Sequence, residues 1–197
     1  MAQPHAPESV IAGSGTKMAI RDAAVRLFTS KGFEQTSLRE VADAVGITKA
    51  SLYYHYPSKL DLLLAIVDPI VDHLRSVVDG LEAVPHDPAN VRRVLGDYLR
   101  GMIRHRDAGT LCVRDTAAIF NAMADRYPDV MNANRLLAEW LAGPRPTDEN
   151  RVRASAALEV LGVALLSEEF VPGVSDELLE TTLLDAATAV LAAGATG

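Results

Sequence analysis

Apolar residues along this chain recur every three or four positions from about residue 17 onward, the period of an amphipathic helix. No stretch alternates as a strand would. Ala19, Ile20, Ala23, Ala24, Leu27 and Phe28 form the inward stripe of a helix predicted over about Lys17–Ser30. Leu38, Val41, Ala42 and Val45 form a second, shorter stripe. It opens with Ser37 and Glu40, the spacing of a capping box, and stops at Gly46. Ile47 then turns inward, and Thr48 can cap a third helix bearing Lys49, Ser51, Tyr53, Tyr54 and His55 on its polar side. Pro57 and Ser58 end that helix, and a long apolar-periodic stretch follows from Lys59 to Leu81. Pro69 inside it predicts a bend near Ile66, either a passive one or a hinge.

Beyond this point proline and glycine divide the chain. Asp87-Pro88 is a helix start, and Pro128, Gly143-Pro144 and Pro172-Gly173 are breaks. Helices are expected near 88–105, 109–125, 128–142, 148–167 and 175–193. The first fifteen residues, with Pro4, Pro7, Gly13 and Gly15, read as a flexible arm. The expected fold is all-α, with about nine helices. A three-helix domain over 16–62 would carry a helix–turn–helix near 37–56. A larger helical domain would fill 63–197.

Two helices of this size joined by a tight glycine turn form a device that places the second helix in the DNA major groove. Lys49, on its first turn, can reach a guanine or a phosphate, and Thr48 and Ser51 can donate to base edges or backbone. Tyr53 and His55 lie further along, within reach of phosphates. Tyr54 can join them or pack between helices. Lys59, after Ser58 at a helix start, and Ser37, at another, sit where exposed amides favour a phosphate. Ser37, Thr48 and Ser58 also serve as simple caps.

The segment from about Thr16 to Val67 resembles the DNA-binding domain of the tetracycline-repressor family. The resemblance rests on AAVRLFTSKGFEQTSLREVA, on VGITKASLYYHYPSK and on the apolar helix start that follows. It implies DNA contact at Lys49, Tyr53, Tyr54, His55 and Lys59, a homodimer, and a second domain that varies with its ligand.

Charge sharpens the division. The whole chain carries −7, unusual for a DNA binder. Residues 1–60, however, hold seven Lys or Arg against five Asp or Glu, and residues 61–197 hold twelve against twenty-one. All four lysines lie in the first part. A basic head on an acidic body leaves only the head to dock on a phosphate backbone.

Tyr98, Met102 and His105 share one side of a helix, and Phe120, Met123, Tyr127 and Trp140 follow on later elements. They can line an effector cavity or fill an ordinary core. The last two helices carry more apolar surface than one domain can cover. Leu158, Leu165, Leu179, Leu183 and Val190 are therefore expected in a twofold four-helix interface.

Other chemistry finds little support. The single cysteine, Cys112, excludes an internal disulfide. The five histidines lack metal-ligand spacing, no nucleophile motif is present, and no cofactor is expected. The N-terminus lacks the pattern of a signal peptide, and no apolar run suits a membrane span, so a cytoplasmic setting is expected. The overall expectation is a regulator, most simply a repressor, that binds a palindromic duplex operator as a dimer and is released by a small-molecule effector. An activator, a ligand-independent regulator, or more distantly an all-helical enzyme are the alternatives.

Overall fold

The computed structural model describes residues 8–114, 119, 121, 124 and 126–193, and every regular element among them is helical. Helix α1 runs Glu8–Lys31, α2 Leu38–Val45, α3 Lys49–His55 and α4 Lys59–Val78. A 3₁₀ turn at Leu81–Ala83 leads to α5, Pro88–Arg104, and α6, Arg106–Arg114. The remainder comprises α7, Pro128–Leu141, and α8, Asp148–Gly162, which passes through a 3₁₀ segment, Val163–Leu166, into the short α9, Ser167–Phe170. The last helix is α10, Asp176–Ala192.

The helix starts are written in side chains. Ser37, Thr48, Ser58, Asp87, Thr147 and Ser175 each accept a backbone N–H three residues on. Each thereby satisfies an amide that the helix itself leaves open. Ser37 with Glu40 and Thr147 with Asn150 complete reciprocal capping boxes. Helix α1 starts at Glu8 rather than near Lys17, and so takes in residues 8–15 of the stretch expected as an arm. No proline lies between Pro7 and Pro57, and Gly13 and Gly15 weaken a helix without forbidding it. Ala19 is exposed rather than inward-facing, because the buried stripe of α1 is centred on Ile20, Ala23, Ala24 and Phe28.

That stripe packs on Val41 and Ala42 of α2, Leu52 of α3, and Leu62 and Leu63 of α4. Phe28 and Phe33 meet edge-to-face at 5.2 Å. Thr36, almost fully buried in the α1–α2 loop, donates its hydroxyl to the Gly32 carbonyl at 2.9 Å. Ile47, half-buried, packs against this core as expected. The core does not end with the head. It continues along α4 through Ile66, Val67 and Val71 to Leu111 of α6, to Tyr127 just before α7 and to Val130 within it. Leu74 of α4 touches both this cluster and the second one, which joins α5, α7, α8 and α10 around Leu95, Leu99, Leu137, Leu161 and Ala187. Helix α4 is thus the beam shared by head and body. It runs through Pro69, where the backbone lacks a donor.

Candidate DNA-binding surface and body cavities

The recognition element is a seven-residue helix held by one face. Leu52 is fully buried, and Tyr56 after it is nearly so, its hydroxyl made less acidic by that burial and only partly offset by Arg21. Gly46 makes the turn into α3 possible, with φ of 76°, a left-handed value that side-chain-bearing residues resist. Its N–H bonds the carbonyls of Ala42 and Asp43.

The opposite face points to solvent. Tyr54 is 86 % exposed, which removes the expectation that it packs between helices. Its ring meets His55 edge-on at 5.4 Å. Tyr53 is 41 % exposed, and the Lys49 ammonium lies 5.4 Å from its ring centre. Thr48 accepts the Ser51 N–H at 3.1 Å, so its hydroxyl proton remains available to an outside acceptor. Ser37 is more committed. It accepts from the Glu40 amide at 3.2 Å and donates to the Glu40 carboxylate at 3.0 Å. Lys31 holds the same carboxylate at 2.6 Å. That contact with Lys31, and then the Ser37 bonds, bring Glu40 down to about 2.

Lys59 behaves differently from the other basic residues of the head. Its ammonium donates to the carbonyls of Phe33 at 2.9 Å, Glu34 at 3.2 Å and Thr36 at 3.2 Å. It also lies 4.4 Å from the centre of the Phe33 ring. An ammonium has three donors, and here all three meet backbone oxygens of the α1–α2 loop. Nothing in the local sequence announces this, since the carbonyls lie more than twenty positions away.

The body holds a cavity of about 960 Å³ between α5, α7 and α8, lined by Tyr98, Met102, Asn134, Leu158, Glu159 and Phe170 among others. Tyr98 donates to the Asn134 side-chain oxygen at 3.2 Å. Burial, and then the charge of Glu159, push its hydroxyl far above the usual tyrosine range. A second cavity, about 880 Å³, separates α1 from the α5–α6 corner, and His105 lines this one instead. Tyr127 and Trp140, expected to line an effector cavity, line neither. Tyr127 is buried against α4, donates to Asp68, and is pushed up to about 12 by burial and by that carboxylate. Trp140 donates to the Val84 carbonyl at 3.3 Å and packs on His86, pinning the 3₁₀ turn. Phe120 and Met123 lie outside the described residues.

The residues expected at a dimer interface also divide. Leu158, Leu179 and Leu183 are buried within the chain's own second cluster, while Leu165 and Val190 are half-buried. The outer faces of α8 and α10 instead expose Val152 (68 %), Val163 (40 %) and Leu178 (59 %). Ala156 on α8, and Thr182, Ala186, Ala189 and Ala193 in and after α10, are exposed beside them. Helical periodicity alone could not tell the two faces apart, because both carry apolar residues. Only the packing of α8 on α10 assigns them.

Comparison with known proteins agrees with this geometry. The family model described as bacterial regulatory proteins, tetR family, matches residues 20–66. The transcriptional regulator EthR of Mycolicibacterium smegmatis is 26 % identical over 182 residues, covering 87 % of this chain and 83 % of that protein. AcrR of Shigella flexneri is 35 % identical over 79 residues, and the negative regulator IcaR of Staphylococcus aureus is 40 % identical over 62. The matched part is 37 % of AcrR and 33 % of IcaR. Among solved structures, AmtR of Mycobacterium smegmatis superposes with a TM-score of 0.70 at 23 % identity, covering 96 % of this chain and 88 % of that one. A transcriptional regulator from Aquifex aeolicus gives 0.65 at 18 % identity, covering 89 % and 99 %. These structures share the all-helical fold over nearly the whole chain. The curated proteins named here are all transcriptional regulators.

Proposed function

The chain belongs to the tetR family of bacterial regulatory proteins, and we propose that it is a cytoplasmic repressor that binds a palindromic operator as a homodimer and leaves it when a small molecule enters the body. The observation that carries this reading is the outer face of α3. Lys49, Tyr53 and Tyr54 stand in solvent on a helix whose other face is locked by Leu52 and Tyr56. A rigid helix with cationic and hydroxyl groups turned outward is fitted to read and grip a groove. Thr48 and Ser51 at its start, and His55 at its end, complete the contact set.

Lys59 belongs elsewhere. With its three donors turned inward, it clamps the α1–α2 loop to the start of α4 and so sets the position of α2 and α3 rather than gripping a phosphate itself. Ser37 acts chiefly as the cap of α2.

The dimer would form through the outer faces of α8 and α10. Val152, Val163 and Leu178 would be its large apolar contacts, with the alanines of α10 allowing close approach of the two copies. A twofold pair of heads implies an inverted repeat in the DNA. The effector would occupy the cavity around Tyr98, Met102 and Asn134. It releases DNA only to the extent that it binds better to the conformer whose heads are wrongly spaced. Selection from random duplex DNA tests the reading. Enrichment of an inverted repeat, abolished by Lys49→Ala, is the expected result. Failure to enrich any duplex would overturn it.

A further inference from the structure

The cavity between α5, α7 and α8 holds a glycine that the fold does not require. Gly162 ends α8 with φ of −58° and ψ of −23°, right-handed values open to any residue. A Cβ added there would meet no heavy atom of the described residues within 4 Å. Gly101 and Gly109, also helical, are different. A Cβ would lie 1.9 Å from the His73 ring at the first and 2.5 Å from Leu165 at the second. Neither backbone conformation nor packing therefore explains Gly162, and glycine there weakens the helix relative to alanine. The open space beside its Cα is the cavity that it lines.

That cavity is apolar within and balanced in charge at its mouth. Met102, Ala138, Leu158, Leu165 and Leu166 are buried or half-buried. The charged lining residues, Arg135, Glu139, Arg151 and Glu159, are all exposed, two of each sign, and Arg151 meets Glu139 at 3.6 Å. Such a rim favours neither an anion nor a cation. An ion carried past it would lose its hydration against apolar walls. Tyr98 is the one buried polar side chain among the described lining residues. Its hydroxyl donates to Asn134 Oδ1 at 3.2 Å, so the Tyr98 oxygen can still accept and the Asn134 amide keeps two N–H donors. Together they can satisfy one uncharged oxygen, which accepts from Asn134 and, if it carries a proton, donates to Tyr98.

We propose that this cavity takes a largely apolar, uncharged molecule with one hydroxyl or carbonyl oxygen. The oxygen sits against Tyr98 and Asn134, and the carbon skeleton occupies the space that Gly162 leaves open. The inference names the chemical class of the effector and in that respect rests on the reading of this cavity as the effector site; the binding itself does not depend on DNA.

Calorimetry on the full chain with octan-1-ol, octan-2-one, octanoate and octyltrimethylammonium tests the class. The alcohol and the ketone should each bind saturably, one per chain, and about tenfold or more tighter than either ion. Tyr98→Phe should weaken both by about threefold to tenfold. Gly162→Ala should melt above wild type and keep most of the binding. Gly162→Leu should abolish binding while melting no lower than wild type and sedimenting as wild type does. Absence of saturable binding by both neutral compounds would overturn the proposal, as would equal or tighter binding of either ion. Wild-type affinity in Tyr98→Phe would overturn the placement of the oxygen. Wild-type affinity in Gly162→Leu would overturn the role of the glycine, and so would unfolding or a changed state of assembly, since packing would then explain the residue. An operator titration with and without octan-1-ol reads the effector role separately. Neutral compounds that bind but leave operator affinity unchanged would overturn that role and leave the ligand class standing.

Discussion

Lys59→Met separates a clamp from a phosphate contact. The substitution keeps the aliphatic stem and removes the ammonium, leaving the carbonyls of Phe33, Glu34 and Thr36 without their shared donor. A hydrogen bond to a charged group contributes about 1.5–3 kcal/mol, and the contact with the Phe33 ring about 0.5–1 kcal/mol. Lys59 is only half-buried, so water takes over part of this, and a net loss of about 2 kcal/mol is expected. For a chain of this length that is a fall of roughly 4–8 °C in melting temperature. Operator affinity should fall as well, because the loop that positions α2 loosens. Its salt dependence should not change. Each phosphate that a protein neutralises adds about 0.9 to the slope of log K against log salt, so a side chain that grips one phosphate in each of two heads accounts for about 1.8. Lys49→Ala supplies that reference. Lys59→Arg adds a second discriminator. A guanidinium would still grip a phosphate, but its planar fork cannot imitate three converging ammonium donors. Thermal unfolding by circular dichroism and fluorescence anisotropy at several salt concentrations give both readouts. Wild-type melting in Lys59→Met, with a slope flattened as much as in Lys49→Ala and restored in Lys59→Arg, would refute the clamp.

Three further outcomes follow from the same structure. Val152→Glu with Leu178→Glu should yield a folded monomer by analytical ultracentrifugation and abolish tight operator binding, whereas Leu183→Glu should unfold the chain because that side chain is buried; a persisting dimer would dismiss the α8–α10 interface. Glu40 is held at about 2 against an ordinary 4.5, so its stabilising effect is complete above pH 4.5 and is lost as pH falls towards 2. The stability gap between wild type and Glu40→Gln in acid titrations should close over that window, and a gap independent of pH would contradict the capping box. Gly101→Ala places a Cβ 1.9 Å from the His73 ring, which is tied to the Asp97 carbonyl at 2.8 Å, so overpacking should outweigh the gain in helix propensity by roughly 1–2 kcal/mol in chemical denaturation. An unchanged or raised stability would show that the ring moves freely.

What local residues could dictate, they did. The start of α2, the glycine turn and the cap of α3 depend on neighbours three or four positions apart, and so the helix–turn–helix stood in the sequence with its boundaries. The exposed face of α3 followed from the same short-range periodicity. The later helix starts followed from Asp87-Pro88 and Pro128, and the breaks at Gly143-Pro144 and Pro172-Gly173 separated the last helices, whose caps at Thr147 and Ser175 the structure adds. Tertiary structure decided everything that turns on which face of a helix meets which partner. It drew Leu158, Leu179 and Leu183 into the chain's own core and left Val152 and Leu178 outside. It sent Tyr127 to Asp68 and Trp140 to Val84, away from both cavities described above. It turned Lys59 inward onto carbonyls of a distant loop, and it set Arg21 opposite Arg104 across a cleft. Periodicity records that a side chain is apolar or charged. Which distant surface will desolvate or neutralise it is settled only when the helices pack.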